Sequence, residues 1–110
     1  MYVFSEWGEA GNFEVMSGIT ASTGFTLSKL NAASIEGLKG LRARAALVTV
    51  ETASILFTMD GTPPTISGGI GHQLAAGDSM IITGQGNLTR FRCINLTGSN
   101  GAILKVTYYF

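Results

Sequence analysis

The chain has 110 residues, seven basic and seven acidic side chains, and no net charge. That length fits one domain, residues 1–110, able to bury about 65% of its unfolded surface without metal or disulfide staples. Seven basic residues are too few for the phosphate-neutralising patch of a specific nucleic-acid binder, and a single cysteine, Cys93, excludes an internal disulfide.

Charged residues make up 13% of the chain, about half the usual share. So much neutral surface suits either burial against other copies or a larger partner, or a β-domain covered in Ser, Thr and Asn. The amino-terminal MYVFSEWGEAG has no basic region followed by an apolar run, so no signal peptide is expected. No stretch approaches membrane-spanning length, so no membrane partner is expected and synthesis in a cytosol follows. The sequons at Asn87 and Asn95 then carry no glycosylation. The acids Glu6, Glu9 and Glu14 precede the bases Lys29, Lys39, Arg42 and Arg44, an asymmetry that suits either head-to-tail contact or a solvated surface.

In chain order, MYVF and NFEVM read as short strands and GFTLSKL, from Gly24, as a better one. Residues 1–24 form a candidate extended docking arm. SIEGLKGLRARA, from Ser34, spaces Ile35, Leu38 and Leu41 by three, but Gly37 and Gly40 reduce it to a loop or one short turn. LVTVE places Val48 and Val50 on one face and Leu47, Thr49 and Glu51 on the other. ILFTM alternates Ile55, Phe57 and Met59 with Leu56 and Thr58. SMIIT is a short apolar run, and RFRC turns Phe91 and Cys93 one way and Arg90 and Arg92 the other. AILKVTYYF sets Leu104, Val106, Tyr108 and Phe110 against Ile103, Lys105, Thr107 and Tyr109. Period-two alternation with β-branched and aromatic residues is the strand signature.

The breaks DGTPP, AAGDS, GQGN and TGSNG carry turn chemistry. Strands at about ten-residue spacing predict an all-β antiparallel sandwich, jelly-roll-like by preference and immunoglobulin-like as the alternative. In ILFTMDGTPPTISGG, Asp60-Gly61 turns the strand and Pro63-Pro64 stop sheet pairing. The glycines at 68, 69 and 71 are expected to carry the chain across to the other sheet.

No catalytic, cofactor or metal site is expected. His72 is the only histidine and has no evident second base, and Cys93 reads as a small inward apolar residue. A Cys–His pair has no support in the spacing. Scattered carboxylates with one His and one Cys lack zinc or calcium spacing, and GQGN lacks the lysine and helix of a phosphate loop. The remaining feature is aromatic. Tyr2, Phe4, Trp7 and Phe13 near the start, and Tyr108, Tyr109 and Phe110 at the end, are expected to contact a partner, by docking in preference to sugar binding.

FTMDGTPPT resembles the YTxDGSxPT turn of small β-domains appended to chitobiase-like glycosidases, which implies a hairpin-like strand ending. A broader resemblance covers about the last sixty-five residues: ALVTVETASILFTMDGTPPT, GHQLAAGDSMIITG, LTRFRCIN and AILKVTYYF occur in that order. In this order they resemble small β-rich proteins encoded among the virion genes of tailed bacteriophages. The resemblance implies a non-enzymatic structural protein located in the virion, a capsid cement or decoration protein that stabilises the shell. Its partners would be the major capsid protein or other virion proteins and itself, as a dimer or trimer. The alternatives are a head-tail connector or tail component, or a carbohydrate-binding sandwich used in host adsorption.

Overall fold

The structure is a computed structural model that describes residues 8–31, 40–96 and 101–110. The described residues form strands β1 (Ala10–Met16), β2 (Ala45–Glu51), β3 (Ile55–Thr58), β4 (His72–Leu74), β5 (Ser79–Thr83), β6 (Arg92–Asn95) and β7 (Ile103–Tyr109). A short helix, α1 (Gln85–Arg90), lies between β5 and β6, and a 3-10 turn occupies Leu27–Leu30. One sheet has the order β1-β7-β2-β5 and the other β4-β3-β6, with antiparallel neighbours throughout.

This order identifies the topology. Thr23 forms an isolated antiparallel bridge to Cys93 of β6. With Thr23 taken as the remnant of an eighth strand beside β6, the two sheets have the order of a double Greek key, the jelly roll. An immunoglobulin sandwich keeps its first and last strands in opposite sheets; here β1 and β7 are paired along their length. The expected all-β sandwich is present, in its jelly-roll form.

The inward residues of the two sheets meet at Val48, Val50, Leu104, Val106 and Tyr108 on one side and Ile55, Phe57 and Cys93 on the other, all buried. Phe91 sits at the centre. Its ring stacks on Phe25 at 4.2 Å and lies 6.1 Å from Phe57, while Phe25 meets Tyr108 edge-on at 5.5 Å. Offset and edge-on pairs of this kind add stability beyond the area they bury.

Several expected elements differ. GFTLSKL is not a strand. Phe25 inserts between the sheets and Leu30 is buried, so the chain turns across the open side of the sandwich, closed by the Lys29 amide on the Thr26 carbonyl at 2.9 Å. GQGN is not a reversal between strands but the start of α1, whose Leu88 is 1% exposed and supplies the reason to fold. Met59 lies outside β3 and is exposed. Residues 1–24 are not a free arm over their described part, because β1 is an edge strand bonded to β7. MYVF, most of SIEGLKGLRARA and most of TGSNG lie outside the described residues.

The proline-marked loop does not cross between sheets. β3 and β4, on either side of residues 59–71, are neighbours in the same sheet. The Thr62 amide donates to Asp60 Oδ1 at 3.0 Å, and the Thr58 hydroxyl donates to the Thr62 carbonyl. Thr65 and Ile70 then exchange backbone bonds at 3.0 and 3.1 Å. The prolines stiffen a long hairpin loop. On either side of the β3–β4 pair the chain changes sheets at residues 52–54, where Thr52 holds φ 77°, and at residues 75–78, where Gly77 and Asp78 bond both backbone groups of Val50. It changes again between β5 and β6 and between β6 and β7.

Candidate docking face on the four-stranded sheet

Strand β1 reverses the usual placement of polar and apolar side chains. Its inward positions are Met16, which is buried in the core, and the polar Asn12 and Glu14, whose side chains hold the segment that closes the open side. Asn12 Nδ2 donates to the carbonyls of Lys29 at 2.8 Å and Asn31 at 3.2 Å. Glu14 accepts from the Thr26 amide at 3.1 Å, the Thr26 hydroxyl at 2.7 Å and the Tyr108 phenol. Because side chains alternate along a strand, Phe13 and Val15 must point out, and each is 53% exposed.

The register extends this apolar surface across the sheet. Phe13 is opposite Thr107, Thr107 opposite Leu47, and Leu47 opposite Ile81. One row therefore runs Phe13, Thr107, Leu47, Ile81 over all four strands. The next runs Val15, Lys105, Thr49, Ser79. Among the described residues on these rows and the next, the charges are Lys105 and Glu51, joined at 3.0 Å. A solvated sheet face usually alternates polar residues outward; this one carries apolar residues across its middle.

Of the aromatic residues expected to contact a partner, Phe13 lies on this face. Tyr108, Tyr109 and Phe110 do not serve as a free docking end: they are 0%, 7% and 3% exposed. The last strand is an interior strand of its sheet, so its end is enclosed by the chain itself. Tyr2, Phe4 and Trp7 lie outside the described residues. Val15, Leu47 and Ile81 were not singled out by the sequence reading. Their signal was present in the apolar outward positions of NFEVM, LVTVE and SMIIT, but only the register shows that they align.

The histidine and cysteine are held apart. His72 and Cys93 are both opposite Phe57, one on each side of β3. Two strand spacings, about 10 Å, and the Phe57 ring separate them. His72 is exposed and its ring centroid is 5.6 Å from that of Phe57. Cys93 is fully buried, and desolvation pushes its thiol pKa up to about 12. No thiolate–imidazole pair forms in this arrangement. Among the described residues no group of three His, Cys, Asp or Glu side chains could hold a metal ion, and no helix is long and apolar enough to cross a membrane.

A second surface feature is a cleft of about 420 Å³ between residues 59–71 and α1, lined by Asp60, His72, Asn87 and Arg90. The Thr62 amide and hydroxyl, and to a lesser degree Arg90, hold the Asp60 carboxyl below its ordinary pKa of 3.8. No protein-family profile, curated protein or solved structure matches the chain.

Proposed function

We propose that this protein is a non-enzymatic structural component of a tailed-bacteriophage virion, of the capsid cement or decoration type. The observation that carries the reading is the row Phe13, Thr107, Leu47, Ile81, with three large apolar side chains and one threonine, on the outside of a well-packed jelly roll. The chain places polar Asn12 and Glu14 inward to keep Phe13 and Val15 outward, an arrangement suited to a protein that works by contact. The resemblance of the last sixty-five residues to virion proteins supplies the setting. Copies would bridge neighbouring shell subunits and add interface area against internal DNA pressure, and repetition over the shell lets each contact be weak.

The test is occupancy on shells. Phe13→Glu and Ile81→Lys, each with an unchanged thermal melt, should lower the number of copies bound to shells that lack the native protein. Wild-type occupancy by both variants contradicts the reading. A second reading, a glycan-holding sandwich used in adsorption, is favoured by the polar cleft of Asp60, His72, Asn87 and Arg90. It predicts signal on a glycan array that is lost in Arg90→Ala.

A further inference from the structure

We infer that the outer face of the β1-β7-β2-β5 sheet pairs with the same face of a second copy about a two-fold axis. The axis runs along the strands, between β7 and β2. The inference rests on the proposed role as a contact protein and names the partner of that face.

The geometry follows from the order of residues in the rows. A two-fold axis along the strands preserves height and exchanges β1 with β5 and β7 with β2 across the interface. Phe13 then faces Ile81 of the second copy, and Leu47 faces the small Thr107. Large side chains meet at the two ends of the row, and a large one meets a small one at each inner position. In the next row Val15 faces Ser79 and Lys105 faces Thr49. Glu51 lies two residues beyond Thr49 on the same strand, so the Lys105 of each copy comes beside the Glu51 of the other. The charges of this face, paired within one copy at 3.0 Å, are thus complementary to themselves under the same axis. An acidic or basic partner would find no net charge here to recognise.

Area sets the strength. The outward Tyr109 and Ala45 at one end of the face are buried, so the open part is the rows from Phe13 to Glu51. Four strands about 4.8 Å apart over about 14 Å give about 270 Å² in projection per copy, and two copies about 540 Å² before side-chain relief is counted, well short of the roughly 1,000 Å² of a specific interface. Sheets stacked at about 10 Å in aligned fashion reach this contact without moving the backbone. The dimer is therefore weak in solution and strengthened by neighbours in an assembly.

The experiment is sedimentation equilibrium over a wide concentration range, with a cross-linking arm. Wild type should show a concentration-dependent dimer. Leu47→Glu, with an unchanged melt, should weaken it roughly tenfold or more. Ile81→Lys supplies the same readout if Leu47→Glu does not fold. A bis-maleimide spanning about 10 Å should join Phe13→Cys chains to Ile81→Cys chains more than either to itself, with the buried Cys93 left in place. A monomer at every concentration, a dimer indifferent to both charged variants, or dominant same-site cross-links overturns the inference. The inference and the virion role fail separately. A monomer that still loads onto shells removes the dimer and keeps the role, and a dimer absent from particles does the reverse.

Discussion

The Tyr108 phenol on β7 donates to the Glu14 carboxylate on β1, across a diagonal of the strand pair: Tyr108 is opposite Asn12, and Glu14 lies two residues along. The same carboxylate holds the amide and hydroxyl of Thr26. One side chain thus ties the edge strand, the central aromatic cluster and the closing segment together. Removing it leaves the buried phenol without its acceptor, a loss that costs about 1–3 kcal/mol, while the exposed Thr26 amide and hydroxyl can turn to water. Glu14→Ala should lower unfolding stability by about 1–3 kcal/mol, and Glu14→Gln by less, in urea melts. Phe13→Ser, one residue away and outward, should change stability by no more than about 0.5 kcal/mol. Equal effects from the two positions would contradict the inward and outward assignment.

The end of the chain is core. Tyr108 and Phe110 are buried, and Tyr108 stands edge-on to Phe25. Truncating a buried aromatic side chain typically costs about 3–5 kcal/mol, so a chain lacking residues 108–110 should lose its cooperative thermal transition and near-UV circular dichroism. A truncated chain with a native melt would show that these residues are dispensable to the fold.

Alkaline pH should unfold the protein before neutral or mildly acidic pH does. Burial raises the Cys93 thiol from its ordinary 9.0 to about 12. Burial, and then the bond to Glu14, raises the Tyr108 phenol well above its ordinary 10.0. Both groups stay neutral in the folded chain while the unfolded chain releases its protons. Their contribution is therefore full below pH 9 and falls as pH rises above it, by up to about 1.4 kcal/mol per pH unit for each group. Cys93→Ala should flatten the first part of that decline. At neutral pH a disulfide reagent should label Cys93 only at the rate of unfolding, and rapid labelling of the native chain would contradict its burial.

Thr52 is a β-branched residue at φ 77°, in the link between β2 and β3 where the chain changes sheets. The left-handed region costs such a residue about 1–2 kcal/mol, and asparagine tolerates it better. Thr52→Asn should raise the unfolding midpoint, by about 0.5–1 kcal/mol in stability. A lower midpoint would mean that the Thr52 side chain makes a contact worth more than the strain.

The strands were legible where one face is buried and the other is not. In AILKVTYYF and LVTVE the alternation of residues directly gives the inward set Leu104, Val106, Tyr108 and Val48, Val50. It failed where a single buried side chain outweighs local preference. Leu88 folds a glycine-containing hexapeptide into α1, and Phe25 pulls an apparent strand across the open side of the sandwich. The proline loop was misread because stopping a strand and changing sheets leave the same local signature; only pairing distinguishes them. The candidate face was half legible. Phe13 stood out as an aromatic, but its alignment with Leu47 and Ile81 is a property of register, and register arises from residues far apart in sequence.

The most direct test of the structural role is the number of copies of this chain in purified virus particles, measured by quantitative mass spectrometry against the major shell protein. The cement or decoration role predicts a ratio near one or a simple fraction of it. A few copies per particle would move the protein to the neck or tail, and its absence from particles would contradict the role altogether.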